Sequence, residues 1–208
     1  MTFIKICGVT RPDDALSAAA LGAQALGLNF YARSKRVVSI DQARAIAAAV
    51  PPFVWLVGVF VNASNRVIER TVRAVGLHAV QLHGDEGPEQ VTALRTRGLT
   101  TLKALHLGHA PVPPGAFVSA NALVLDAAQP GYGGGGVRFD WKLARAVTRR
   151  RPVLLAGGLT PENVVDALRA VRPFGVDVAS GVERSPGIKD SQRMATFIRA
   201  VRAEERPR

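Results

Sequence analysis

Apolar residues along the chain fall into two alternating kinds of stretch. Short runs rich in Val, Ile, Leu and Phe are followed by amphipathic stretches of about ten residues with helical spacing, the pattern of repeated βα units. Eight strands are predicted: Phe3 to Cys7, Ala25 to Phe30, Val54 to Val61, Ala79 to Leu82, Thr101 to Leu105, Ala122 to Leu125, Val153 to Ala156 and Val176 to Val178. Helices are predicted to start near Pro12, Ile40, Ser64, Pro88, Asp140, Pro161 and Ser191, several of them opened by a first-turn proline or an Asp or Ser cap. The connection from Gly108 to Ser119 carries Pro111, Pro113 and Pro114, so it is predicted to be irregular or a single turn.

Runs such as Val153-Leu154-Leu155-Ala156 are apolar at successive positions, which suits parallel strands covered on both faces. Eight such units predict an α/β protein, a (β/α)8 TIM barrel with an irregular or shortened fifth helix, because an open doubly wound sheet uses fewer strands. No Gly/Ser linker or break in composition divides the 208 residues, and residues 1–208 are read as one barrel domain.

Hydrophobic residues make up 48% and charged residues 21%, a balance that excludes a disordered or collagen-like chain. The single cysteine, Cys7, excludes a disulfide framework and suits the cytoplasm, which is the expected compartment. No apolar run of about 18 residues is free of charge or breaker, and no basic-then-apolar leader precedes Phe3, so neither a membrane span nor secretion is expected. The 27 basic residues against 16 acidic give a net charge of +11, which would steer phosphate-bearing ligands, nucleic acid or acidic membranes toward the protein. The arginines, however, lie at helical spacing (Arg66, Arg70, Arg73), at a helix end (Arg145, Arg149 to Arg151) and along the last helix (Arg199, Arg202, Arg206, Arg208). They are read as solvated helix faces. None of the two tryptophans and two tyrosines is interleaved with them as a base-stacking platform, so nucleic acid is not an expected partner.

In a barrel of this kind chemistry belongs where strands end. Lys5 and Cys7 share a face of the first strand, which sets an ammonium near a thiol and predicts a lowered thiol pKa. Cys7 is therefore either a base or nucleophile, or a small buried hydrophobe. Asp126 ends the sixth strand, either as a functional acid or as a loop cap. Ala156-Gly157-Gly158-Leu159 and Ala179-Ser180-Gly181-Val182 follow the last two strands, where this barrel often holds phosphate on backbone N–H groups; the alternative is a pair of tight turns. Gly131 to Gly136 contains a GxGxxG pattern that glycine runs satisfy trivially, and it is read as a mobile loop beside Asp126 or a surface turn. Four scattered histidines predict no metal site: His106 and His109 are read as solvent-facing, and His83, two residues after Gln81, as either a pocket border or a structural residue. Arg33, Lys35 and Arg36 follow the second strand, where one of them could clamp a carboxylate.

The blocks Lys5-Ile6-Cys7-Gly8, Val57-Gly58-Val59-Phe60-Val61-Asn62, Val80-Gln81-Leu82-His83-Gly84-Asp85, Ala156-Gly157-Gly158-Leu159, and Ser180-Gly181-Val182-Glu183 followed by Pro186-Gly187-Ile188-Lys189-Asp190 closely resemble the phosphoribosylanthranilate isomerase family. The similarity runs from Phe3 to about Arg202. It implies an isomerase of tryptophan biosynthesis that carries out an Amadori rearrangement without metal or organic cofactor. By the same resemblance Cys7 is the general base and Asp126 the general acid, a role that requires it to hold a proton near neutral pH, for which partial burial under the glycine loop is the expected cause. Arg36 meets the anthranilate carboxylate, the backbone of Gly157, Gly158, Ser180 and Gly181 meets the phosphate, and Lys5, Gln81, His83 and Asp177 support the site. The expected partner is a small phosphorylated substrate, with no nucleic acid and no membrane, bound by a monomer or homodimer.

The chain departs from the family pattern at Asn29, at Ala179 and over Gly133 to Val137. Other phosphosugar barrels, such as a ribulose-phosphate epimerase or the histidine-pathway isomerase, favour a carboxylate where Cys7 stands, and the epimerase a metal with histidine ligands. A basic RNA-binding module and a catalytically dead barrel are the remaining alternatives.

Overall fold

A computed structural model describes residues 1–107, 117–127 and 141–205. Eight parallel strands close into a barrel in sequence order: β1 (Phe3–Cys7), β2 (Ala25–Asn29), β3 (Trp55–Phe60), β4 (Ala79–Leu82), β5 (Thr100–Leu107), β6 (Ala122–Ala127), β7 (Val153–Leu155) and β8 (Gly175–Val178). Each predicted strand is present, and β1 pairs with both β2 and β8, so no edge remains.

Helices α1 (Pro12–Ala20), α2 (Ile40–Ala49), α3 (Asn65–Val75), α4 (Pro88–Thr96), α5 (Trp141–Thr148), α6 (Val164–Val171) and α7 (Ser191–Glu204) follow their strands. Their starts are set locally. Pro12 and Pro88 occupy first-turn positions, Ser39 forms a capping box with Gln42, and the Asp190 side chain accepts from the N–H groups of Gln192 and Arg193. The helix expected from Pro161 begins only at Val164, because Asn163 accepts from Thr160 N and donates to Gly158 O, holding residues 161–163 in turns. The proline-rich connection falls largely at 108–116, and the glycine loop, with the Gly133 to Val137 departure and Asp140, at 128–140, both outside the described residues. A short hairpin of β9 (Glu183–Ser185) and β10 (Ile188–Lys189), unforeseen in the sequence, closes the loop between β8 and α7.

Two apolar layers result. The outer one packs residues such as Ile4, Ile6, Leu26, Leu28, Leu82 and Leu123 against the helices, and the inner one fills the barrel with Ala25, Val57, Ala79, Leu102, Ala104, Val124, Leu154 and Ala156.

Two of the arginines read as solvated are structural. Arg151 donates to the carbonyls of Phe117, Val118 and Ala120 just before β6, and Arg202 donates to Thr2 O, Gly22 O and Gln24 Oε1 at the base of β1 and β2. Strand-start carbonyls need donors, and long arginines on the last helix and in the turn after α5 supply them. Arg206 and Arg208 lie outside the described residues. Among the described residues no helix is long and apolar enough to cross a membrane.

Candidate active site

The inward-facing positions of β1 run from Lys5 to Cys7, and the parallel register aligns Lys5 with Ala25 and Asp177, and Cys7 with Gly27. Lys5 is fully buried, and its Nζ donates to both carboxylate oxygens of Asp177 at 3.0 and 2.9 Å. Asp177 and Cys7 together keep the ammonium above its ordinary pKa although burial pulls it down.

Cys7 behaves differently from the sequence expectation of a lowered pKa. Burial pushes its thiol above the ordinary value of 9.0, because Asp177 offsets the neighbouring positive charge of Lys5. Room for the thiol comes from Gly27: a Cβ there would lie 2.6 Å from Cys7 Sγ and 3.1 Å from Lys5 Nζ. Gly27 was not singled out in the sequence, where it reads as one more small residue in an apolar strand.

Across the barrel Asp126 is buried near the end of β6, its Oδ1 accepting from Ala127 N at 2.7 Å. Its Oδ2 lies 3.5 Å from His83 Nε2, too long for a strong hydrogen bond but close enough to align the two groups. The Gln81 side-chain amide meets His83 Nδ1 at 2.8 Å and so holds the ring with Nε2 toward Asp126.

His106, expected in solvent, is instead partly buried at the rim with its ring edge against His83. The reason is that β5 runs on to Leu107, and the register sets His106 beside Asp126. Burial and the neighbouring His83 push its imidazole below the ordinary 6.5. His109 lies outside the described residues. His83, His106 and Asp126 offer ligand atoms within 4.8 Å of one another, a cluster that four histidines scattered along the sequence did not suggest.

The small-residue loops after β7 and β8 are brought into contact. Gly157 and Gly158 have φ of +79° and +64°, in the left-handed region that favours glycine. A Cβ on Gly157 would lie 3.0 Å from Asp126 Oδ1, and one on Gly181 only 1.9 Å from Leu159 O. Ser180 and Gly181 therefore sit against the loop that carries Gly157 and Gly158, forming one backbone-rich edge beside Asp126.

Arg36 reaches the same rim across Gly8, whose φ is +72° and where a Cβ would lie 2.3 Å from Arg36 Cδ. Its Nε and Nη2 donate to the two oxygens of Glu183 at 2.8 and 2.7 Å. Lys189 Nζ donates to Glu183 Oε1, Cys7 O and Ala179 O. Arg36 and Lys189 hold Glu183 below the ordinary carboxylate value despite its burial. The two unusual residues find local uses: Asn29 Oδ1 accepts from Tyr31 N at the end of β2, and Ala179 contributes the carbonyl that Lys189 meets. The motif around Gly84 is structural as well, since buried Glu86 accepts from Asn62 N, Gly84 N and Lys103 Nζ and so ties two loops together.

The family model for N-(5'-phosphoribosyl)anthranilate (PRA) isomerase matches residues 4–200. A curated relative from Myxococcus xanthus, named N-(5'-phosphoribosyl)anthranilate isomerase, is 49% identical, with 96% of each chain covered. The crystal structure of phosphoribosyl anthranilate isomerase from Thermus thermophilus superposes with a TM-score of 0.89 at 38% identity, covering 97% of this chain and 99% of that one. A further solved isomerase, in complex with reduced 1-(o-carboxyphenylamino)-1-deoxyribulose 5-phosphate, has a TM-score of 0.83 at 37% identity, covering 98% of this chain and all of that one.

Proposed function

Because the chain belongs to the phosphoribosylanthranilate isomerase family, we propose that it converts N-(5-phosphoribosyl)anthranilate to 1-(2-carboxyphenylamino)-1-deoxyribulose 5-phosphate, in tryptophan biosynthesis, with Asp126 as general acid and Cys7 as general base. The observation that carries the reading is the convergence of Cys7 and Asp126, from β1 and β6, on the inner face at the carboxyl ends of one closed barrel.

Asp126 gives its proton to the furanose ring oxygen, the bond from that oxygen to C1 breaks, and the nitrogen lone pair forms the C1=N iminium. The Cys7 thiolate then removes the proton from C2. The C–H electrons become the C1=C2 bond, the iminium electrons return to nitrogen, and the resulting enolamine tautomerises to the C2 ketone. One proton is given and one taken, so the protein's proton count is unchanged, and the reading uses no metal or organic cofactor.

Arg36 meets the substrate's aromatic carboxylate, and the backbone of Gly157, Gly158, Ser180 and Gly181 meets its phosphate. Lys5, Asp177, Gln81 and His83 orient the two reacting groups. The substrate is a small phosphorylated molecule rather than nucleic acid or a membrane, and the protein works in the cytoplasm as a monomer or homodimer.

The test is a coupled fluorescence assay following loss of phosphoribosylanthranilate. Cys7→Ala and Asp126→Asn are each expected to lower turnover by on the order of 100- to 10,000-fold with melting unchanged. Near-normal turnover in either variant removes the role assigned to that residue.

A further inference from the structure

We propose that Glu183 is a positioning residue that aims Arg36 at the carboxylate of the substrate's aromatic ring. This rests on the isomerase reading above. Glu183 opens β9, beyond the barrel proper, yet its side chain is almost completely buried between the loops after β1, β2 and β8.

Its carboxylate has four donors: Arg36 through Nε and Nη2, Lys189 through Nζ at 2.8 Å, and Gly187 N at 3.3 Å. The fork on Arg36 fixes the plane of the guanidinium, because two parallel hydrogen bonds permit one orientation where a single bond would permit many. It also leaves one edge over. Among the described residues no hydrogen bond engages Arg36 Nη1, while the Arg36 side chain remains 12% exposed. A pre-aimed donor edge of this kind suits a planar anion.

The charge arithmetic agrees. Arg36 and Lys189 face the single carboxylate of Glu183, so the cluster keeps one net positive charge. A substrate carboxylate would neutralise it. Lys189 cannot serve that anion itself, because its three ammonium hydrogens are matched by Glu183 Oε1, Cys7 O and Ala179 O. Glu183 is thereby anchored independently of Arg36, with Lys189, which shares Oε1 with Arg36 Nε, tying it to the strand end that carries Cys7.

The test compares two ligands: reduced 1-(2-carboxyphenylamino)-1-deoxyribulose 5-phosphate and the same compound built on aniline, which lacks the carboxylate. Glu183→Gln keeps the size and removes the charge and half of the fork. It should weaken the carboxylated ligand about tenfold, leave the aniline compound within about twofold, and raise KM for phosphoribosylanthranilate more than it lowers kcat. Equal weakening of both ligands would show general loosening and overturn the proposal, as would no weakening of either. Should the amide fail to fold, Glu183→Asp keeps the charge that Lys189 needs while withdrawing the fork by one methylene, and the same selective loss is expected. Wild-type protein that turns over phosphoribosylanthranilate but binds both compounds equally would overturn the carboxylate contact of Arg36 together with this proposal. Absence of turnover in the wild type would overturn the isomerase reading itself. Wild-type discrimination that survives in both Glu183 variants would overturn this proposal alone.

Discussion

Lys5 and Asp177 face each other in register on adjacent strands β1 and β8 and form a doubly hydrogen-bonded ion pair in the barrel interior. Removing one partner leaves the other charge buried without compensation. Lys5→Met is expected to cost about 3–5 kcal/mol in denaturant unfolding, and the double variant with Asp177→Asn less than that single change. A loss below about 1 kcal/mol for Lys5→Met would mean that water or another cation replaces the ammonium. The folded-state pKa of Lys5 is raised, so its contribution is complete at neutral pH and fades only as the pH climbs through that raised value, above the ordinary 10.5.

The same pair sets the acidity of Cys7. Because burial outweighs the screened pull of Lys5, the thiol of the free enzyme titrates above 9.0. Alkylation of Cys7 by iodoacetamide, which needs the thiolate alone, is then expected to speed up steadily as pH rises through neutrality and to level only on the alkaline side of that value. A plateau at about pH 7 would mean a thiol activated by some other group.

Gly27→Ala is expected to lower turnover by about 100-fold while costing about 1–3 kcal/mol of stability, since its methyl would meet both Cys7 Sγ and Lys5 Nζ below normal contact distance. Steady-state kinetics beside thermal melting check the pair of effects. Full turnover in a well-folded variant would mean that the sulfur can move without losing its place.

Gly181→Ala has less freedom still, because the obstructing atom is the Leu159 carbonyl rather than a flexible side chain. The loops after β7 and β8 must separate, and KM is expected to rise with a destabilisation of about 1–3 kcal/mol. An unchanged KM would detach this edge from phosphate recognition.

Arg36→Ala should act mainly on KM, by about tenfold or more, with a smaller change in kcat. An unchanged KM would reassign the carboxylate to another group.

Much of this arrangement was legible before any coordinates. Apolar runs of strand length located all eight strands, with ends displaced by a few residues at most. Asp126 stood out because an acid closing an apolar strand is rarely a packing residue, and Cys7 because Lys5, two residues before it, shares its strand face. The pairings between distant loops were hidden for a physical reason: they are assembled only when the barrel closes. Arg36 and Glu183 are 147 positions apart, and nothing local to either marks the pair. His106 was misread because the prolines that follow it obscure how far β5 extends. Gly27 is visible only as the space it leaves, and the buried Glu183 and Lys189 resemble ordinary surface charges until the hairpin folds over them.

The inner apolar layer carries a last consequence. Alanine, valine and leucine side chains from six of the strands fill the barrel interior around the buried Lys5 and Asp177. Among the described residues this filling leaves a small molecule the carboxyl-end rim as its way in and out. Reactant and product must take turns at a common doorway, so the product is expected to act as a competitive inhibitor, and traffic through that doorway becomes a step whose rate can limit the whole cycle.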